Sequence, residues 1–294
     1  MKILITGSTG FIGKYLVSSF ENHNLLLVVR DKISAQILFG DLYQIVEEKD
    51  GHLEQIISSF SPEYVYHLAG NANPSDELTY IDELISSNIL FATKIFSIIS
   101  KLQVKLVVNF STSLMYDALE KKTFNLYAAT KSAVSEILSY YQSQSDFKRV
   151  DLILYNVYGI GDTSKKAIDY IFESLNSATK IKMSPGLQKL DFIYVEDIID
   201  SCIHLIEKVE SLDSCTILHL GTGISTSLKD IAELLEDISG LKCNIEWGGI
   251  SYRKNEKMIS KAPIERNQFW LAKTSVREGL SILLSYKNKK SSDA

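Results

Sequence analysis

The 294-residue sequence predicts an α/β fold: a doubly wound parallel sheet followed by a smaller α+β lobe. Three observations carry that prediction. Short apolar runs alternate with helical patterns through the first two-thirds of the chain, the signature of a parallel sheet covered on both faces. The segment Gly7-Ser8-Thr9-Gly10-Phe11-Ile12-Gly13 joins the first apolar run to the first helical pattern. After Tyr158, glycines and a proline punctuate residues 159–190 and the alternation ends.

In chain order, the apolar runs place strands at Lys2–Thr6, Leu25–Val29, Gln44–Val46, Tyr64–Leu68, Leu106–Phe110 and Asp151–Tyr155, with a late strand at Thr216–Leu220. Helices are expected at Ile12–Glu21, Leu53–Phe60, Asp82–Lys101 and Tyr127–Ser143. Further helical patterns begin near Val195 and run over Ser227–Ser239. Right-handed crossovers would bring the carboxyl ends of the strands to one edge, where such sheets bind ligands. The expected division is a first domain over 1–158, rejoined by 191–221, and a smaller lobe made of 159–190 and 222–294. No repeat and no Pro-, Gly- or Ser-rich linker separates the two, and the polar Lys287–Ala294 is expected to fray.

Composition narrows the function. Apolar content of 45% and charged content of 23% are ordinary for a soluble globular protein. A net charge of -5 lacks the basic footprint of a nucleic-acid partner. Cys202, Cys215 and Cys243 are scattered and without CxxC spacing, which suits a reducing, cytoplasmic setting and not a disulfide framework. His23, His52, His67, His204 and His219 show no metal-ligand spacing, so no metal is expected. Residues 89–99 are apolar but interrupted by Thr93, Lys94 and Ser97, too short for a membrane span. A strand starting at Lys2 leaves no room for a signal peptide.

The glycine segment reads as a Rossmann-type phosphate cradle. Gly7 makes the tight turn, Gly10 lets the backbone approach a pyrophosphate, and Gly13 lets helix and strand pack closely. N–H groups and the dipole of the helix start then face the anion. At the end of the second strand, where NAD sites usually carry an acid, stands Arg30, with Asp31 one step beyond. An arginine fits a 2′-phosphate by charge and fork geometry, so NADP(H) is favoured over NAD(H). The competing readings keep Asp31 as the ribose ligand or Arg30 as a solvated strand end.

Tyr127 and Lys131 stand four apart on an expected helix and so share a face. A free tyrosine titrates near ~10, and a neighbouring ammonium is expected to pull that value down toward the working range. Thr112, in the hydroxyl run Ser111-Thr112-Ser113, would bond a substrate oxygen beside Tyr127. The spacing alone is weak, because Tyr286 and Lys290 repeat it in the tail.

Several motifs in order strengthen the reading: Tyr66-His67-Leu68-Ala69-Gly70, Asn88 with Ile89-Leu90-Phe91-Ala92-Thr93, Asn156-Val157-Tyr158-Gly159, Asp191-Phe192-Ile193-Tyr194-Val195-Glu196-Asp197, Leu220-Gly221-Thr222-Gly223 and Ile259-Ser260-Lys261-Ala262. With the cradle and Tyr127-Ala128-Ala129-Thr130-Lys131, the chain resembles the extended short-chain dehydrogenases/reductases that modify nucleotide sugars. The resemblance spans nearly the whole length. It implies that Thr112, Tyr127 and Lys131 are catalytic, with Asn88 helping to hold the lysine. It places Phe11, Ile12, Leu68 and Ala69 with Gly7, Gly10, Gly13 and Arg30 at the cofactor. Asn156 and Arg253 are implied to contact the substrate diphosphate, Arg253 otherwise being a solvated charge beside Lys254 and Lys257. No acidic residue for the adenine is clear; Asp41 and Glu47 both fit poorly.

Departures from the family narrow the chemistry. The 4,6-dehydratases carry Asp-Glu after the catalytic threonine, where this chain has Ser113 and Leu114. Epimerase-reductases carry a cysteine two residues before the tyrosine matched by Tyr116, again Leu114 here. Leu190 stands where the family often has an arginine. The resemblance therefore implies an NADPH-dependent reductase of a nucleotide-linked 4-keto-6-deoxysugar, similar to CDP-abequose synthases in Val28-Val29-Arg30-Asp31, Ser227-Leu228-Lys229-Asp230 and Trp247-Gly248-Gly249-Ile250. An NAD-dependent 4-epimerase and a non-catalytic NAD(P)-binding sensor or scaffold stay open. Finally, the segments 82–101 and 127–142 carry more apolar residues than one sheet face needs, among them Leu84, Ile85, Ile89, Leu90, Phe91, Ile95, Phe96, Ile98 and Ile99. A homodimer through a four-helix bundle is expected from that surplus and from the resemblance, the alternative being that the same chain covers it.

Overall fold

The computed structural model describes residues 1–115, 123–253, 256–267 and 270–292. Two compact units emerge: Met1–Ile153 with Cys202–Leu218, and Leu154–Ser201 with His219–Ala294. The first is built on β1 (Lys2–Thr6), β2 (Asn24–Val29), β3 (Gln44–Glu47), β4 (Tyr64–His67), β5 (Leu106–Thr112) and β6 (Lys148–Leu154). After three strands of the second unit, β7 (Asn156–Tyr158), β8 (Ile181–Met183) and β9 (Lys189–Tyr194), comes β10 (Cys215–Leu220).

The seven-stranded sheet has the order β10-β6-β5-β4-β1-β2-β3. Pairs β1/β2, β2/β3, β1/β4 and β4/β5 are parallel. The chain runs outward from β1 in one direction through β2 and β3, then returns to β4 on the other side. That reversal is the switch point at which doubly wound sheets open a crevice. Thr6 and His67 are register partners there, so the segments beginning at Gly7 and Leu68 leave the sheet side by side.

Helices of the first unit are α1 (Phe11–Ser19), α2 (Lys32–Phe39), α3 (Leu53–Phe60), α4 (Leu78–Ile85), α5 (Phe91–Ile99) and α6 (Leu126–Gln142). The single helix expected over Asp82–Lys101 begins earlier, at Leu78, and Ser86–Leu90 forms a π turn between α4 and α5. The apolar surplus of this segment is largely spent within the chain. Phe91, Ile95, Phe96, Ile98 and Ile99 are buried in one core with Leu4, Leu26, Val65, Ile57, Val134 and Leu138. Ile85, Leu90 and Tyr140 remain exposed.

The second unit holds a three-stranded sheet, β11 (Ser225–Ser227) beside β9 beside β7, and the parallel pair β8/β12, the latter Ile245–Trp247. Because β9 belongs to this sheet, the segment that rejoins the first unit is 202–218 and not the expected 191–221. Buried Asp191 fastens the lobe together: its carboxylate accepts from the N–H groups of Thr222, Gly223 and Ala262 at 2.8–2.9 Å and from the Thr222 hydroxyl at 2.8 Å. Its helices are α7 (Ala167–Ser174), α8 (Val195–Glu207, which runs on into the first unit), α9 (Leu228–Ser239) and α10 (Val276–Ser292). Of the tail expected to fray, residues 287–292 are the end of α10, whose Leu280 and Leu283 lie in the core of this unit; 293 and 294 lie outside the described residues.

Candidate active site

Strand β1 ends at the glycine segment, and each glycine answers a separate packing demand. Gly7 has φ of 71°, and a Cβ on it would lie 2.7 Å from the Ala69 nitrogen. On Gly13 a Cβ would come within 2.2 Å of the Gly7 carbonyl oxygen, so the first turn of α1 lies directly on the loop. Gly10 is the exposed N-cap of α1 and offers no side-chain acceptor, and no acidic residue occupies the first turn. Gly10 itself supplies no side-chain cap to this helix start, an arrangement that suits an anion such as a dinucleotide phosphate. Phe11 and Ile12, half-buried, follow immediately.

The loop is tied to β4 by a hydroxyl. The Thr6 Oγ1 accepts from the Ala69 N–H at 3.1 Å and lies 3.0 Å from the His67 Nδ1. Burial, with Lys131 as a secondary cause, holds the His67 imidazole down at about 3, so the ring is neutral and serves as a fixed strut. Leu68 and Ala69 thereby stand beside the glycine segment.

Asn88 lies in the π turn, a helical irregularity common at functional sites. Its Oδ1 accepts from the Asn71 N–H at 2.6 Å, and its Nδ2 donates to the Asn71 carbonyl at 3.0 Å and to Thr130 Oγ1 at 2.9 Å. Thr130 in turn donates to the Tyr127 carbonyl at 2.7 Å. Lys131, one step along α6, is buried and donates from Nζ to the Phe110 carbonyl at 2.9 Å, on the strand that ends at Thr112. Gly70 completes this cluster: a Cβ there would sit 3.0 Å from Asn88 Oδ1 and 3.2 Å from Lys131 Nζ.

Thr112 is buried at the end of β5, and its oxygen accepts from the Leu114 N–H at 3.3 Å, which leaves its own proton to donate elsewhere. Tyr127 and Lys131 occupy the first two turns of α6, which Asn125 caps by accepting from Ala128 N–H at 2.8 Å. The expected pull of the ammonium on the phenol is not what dominates. Desolvation pushes Tyr127 up to about 12 and brings Lys131 down to about 8. At neutral pH the tyrosine is therefore a held proton and the lysine an ammonium bonded to a backbone carbonyl.

A buried polar group anchors α6 from below. Asp151 on β6 accepts from Asn109 Nδ2 at 2.7 Å and from Ser135 Oγ at 3.2 Å, and pairs with Arg149. Ser135 lies one turn beyond Lys131. Thr130, Gly70, Thr6, Asn109 and Asp151 have no role that the sequence motifs alone assign. Thr130 and Gly70 lie inside sequence motifs and Thr6 directly before one, whereas Asn109 and Asp151 carry no such signal.

Arg30 is exposed at the end of β2 and pairs with Glu83 of α4 at 3.3 Å. Asp31 caps α2, accepting from the Ser34 N–H at 3.1 Å and the Ser34 hydroxyl at 2.6 Å, and those bonds hold its carboxyl below the usual range. Glu47 is also engaged, with the Lys32 N–H at 3.1 Å. In the second unit, Asn156 opens β7 and donates to the Asp191 carbonyl at 3.0 Å. Arg253 is exposed, with its backbone N–H on the Glu256 carboxylate at 3.4 Å. Tyr116 and Lys254 lie outside the described residues. Among the described residues no cluster of His, Cys, Asp and Glu could hold a metal ion, and no helix is long and apolar enough to cross a membrane.

Residues 3–221 match the NAD dependent epimerase/dehydratase family. CDP-abequose synthase of Salmonella typhimurium is 27% identical over 273 residues, covering 88% of this chain and 89% of that protein. GDP-6-deoxy-D-talose 4-dehydrogenase of Aggregatibacter actinomycetemcomitans is 25% identical, covering 87% and 86%. In fold, the UDP-glucose 4-epimerase of Thermotoga maritima, solved with UDP-glucose, superposes with a TM-score of 0.84 at 22% identity over 99% of both chains. The match covers most of the chain, cradle and Tyr-Lys helix included: this protein belongs to the NAD-dependent epimerase/dehydratase family of extended short-chain dehydrogenases/reductases, and is an NAD(P)-dependent enzyme of the oxidoreductase type.

Proposed function

We propose that the protein reduces the 4-keto group of a nucleotide-diphosphate-linked 6-deoxysugar with NADPH. The observation that carries this reading is the placement of Tyr127 on one helix with Lys131, whose buried ammonium donates to the Phe110 carbonyl on the strand that ends at Thr112. A reductase needs a proton donor at the carbonyl oxygen, and Tyr127 is set to be one. Bound cofactor supplies the hydride to the carbonyl carbon. Tyr127 gives its proton to the oxygen that becomes the hydroxyl, Thr112 orients that oxygen through its O–H, and the Lys131 ammonium offsets the phenolate left behind. Asn88 holds the Asn71 backbone against this cluster.

The first unit then acts as the dinucleotide domain, through Gly7, Gly10, Phe11, Ile12, Gly13, Leu68 and Ala69, and the second as the substrate lobe, with Asn156 and Arg253 as diphosphate ligands. Engagement of Asp31 as a helix cap leaves Arg30 to select the cofactor, which supports NADP(H) over NAD(H). The similarity to CDP-abequose synthases, and Ser113 and Leu114 in place of dehydratase acids, support reduction over elimination. The protein is taken to be cytoplasmic and a homodimer through α4, α5 and α6, for which exposed Ile85, Leu90 and Tyr140 are the support. A species of monomer mass in sedimentation equilibrium at micromolar concentration would remove the dimer.

The test is NADPH consumption with a panel of CDP-, GDP- and UDP-linked 4-keto-6-deoxyhexoses. Stoichiometric oxidation of NADPH with at least one is expected. A 4-epimerase is the second reading, favoured by likeness to the UDP-glucose 4-epimerase of Pisum sativum at 24% identity. It would interconvert a nucleotide sugar with no net cofactor change. Binding without turnover of either kind would leave a sensor or scaffold.

A further inference from the structure

The structure joins the π turn to the catalytic helix through one side chain that the motif reading passes over. Thr130 is buried, and its single hydroxyl has two partners on different elements. It receives a hydrogen bond from Asn88 Nδ2 at 2.9 Å and donates one to the Tyr127 carbonyl at 2.7 Å. A threonine that bonds the carbonyl three residues back is commonplace in helices and does little more than bend them. The Asn88 bond sets this one apart, because it comes from a residue whose other amide atoms are fixed to the Asn71 backbone. Any displacement of the Asn71 segment or of the π turn is thus passed to the backbone of Tyr127.

We infer that Thr130 is a positioning residue for the proton donor: it locks the first turn of α6 to the π turn and so fixes where the Tyr127 hydroxyl stands. This rests on the reading of Tyr127 as the proton donor. The alternatives for the hydroxyl are local. If it only satisfied a buried amide, its loss would weaken the fold and leave each folded molecule as active as before. Val in its place keeps the shape, removes the donor, and leaves the Asn88 amide hydrogen without an acceptor. Ser keeps the hydroxyl.

The experiment measures kcat, KM and NADPH dissociation constant for Thr130→Val and Thr130→Ser in the full chain, with rates normalised to titrated NADPH sites. The assay uses whichever 4-keto nucleotide sugar in the panel above turns over fastest. Small displacements of a reacting group cost up to about 100-fold, so Thr130→Val is expected to lower kcat about tenfold or more. KM and NADPH binding should stay within about twofold, and Thr130→Ser should recover most of the rate. In a Tyr127→Phe background, Thr130→Val should change kcat by less than about twofold, since there is no hydroxyl left to position. Normalised kcat unchanged in Thr130→Val, or a full tenfold further loss in the Tyr127→Phe background, would overturn the inference. If Tyr127→Phe alone keeps normal turnover, what fails is the assignment of the proton donor and not the strut.

Discussion

The two ends of the proposed cofactor site are built on opposite principles. At the reacting end, Asn88, Thr130 and Lys131 are buried and each makes hydrogen bonds to fixed backbone or to one another. At the selecting end, Arg30 and Glu83 meet with side chains 72% and 54% exposed, and Asp31 serves a surface helix. Removing one partner of a buried hydrogen bond costs about 1–3 kcal/mol, whereas an exposed ion pair is worth about 0–1 kcal/mol. On the proposed reading, the chemistry is held by contacts that resist change, and the choice of cofactor by contacts that one substitution can retune.

The sharpest way to break this comparison is at Tyr127. If the buried end performs proton transfer, Tyr127→Phe lowers kcat by at least about 100-fold while NADPH binding, read by fluorescence titration, changes little. Near-normal turnover would mean that the buried cluster is only scaffolding.

How far these ends were legible in the sequence differs for the same reason. The phosphate loop, the order of strands from β1 to β6 and the Tyr-Lys pair follow from local pattern, since a glycine demanded by φ of 71° or an i, i+4 pair is written in adjacent residues. The direction of the Tyr127 shift was not legible, because it depends on desolvation by residues distant in the chain. Helix α2 escaped the reading for want of a clear apolar stripe: Ile33, Ile37 and Leu38 are exposed and only Ala35 is buried. The π turn left no periodic trace, and the role of Thr130 exists only once Asn88 has been brought to it across 42 residues. In the second unit the short strands β8, β11 and β12, three residues each, fall below what alternation can reveal.

A second prediction uses the titration of the buried end. Lys131 titrates near 8 because burial disfavours its ammonium. If the ammonium is needed, the reductive rate is flat near pH 7 and falls as pH rises through about 8, toward tenfold per unit. Tyr127, near 12, keeps its proton throughout and does not cause the fall. Stability moves the other way. Between about 8 and the ordinary value of 10.5 the unfolded chain holds a proton on this lysine that the folded chain does not, so this group makes folding more favourable as pH rises through that window. Loss of rate with no loss in thermal midpoint is the expected pair of results, and a rate that holds to pH 10 would remove Lys131 from the proton chemistry.

The smallest expected effects lie at the exposed end, where they discriminate best. If Arg30 recognises a 2′-phosphate, Arg30→Ala weakens NADPH binding about tenfold and leaves NADH binding almost unchanged, since a hydrogen bond to a charged group is worth roughly 1.5–3 kcal/mol. Glu83 then works against NADPH, because its carboxylate occupies the guanidinium at 3.3 Å and repels the incoming phosphate. An exposed pair of at most about 1 kcal/mol sets the scale, so Glu83→Gln should tighten NADPH about two- to fivefold and leave NADH within error. Both effects should shrink in 0.5 M salt, where exposed charges are screened within about 4–5 Å. Isothermal titration of the two cofactors against wild type and both variants measures all of this together. Equal loss for NADPH and NADH in Arg30→Ala would show that the arginine supports the fold of the site and does not choose between cofactors. Tighter NADH binding in the wild type would move selection to residues outside this pair.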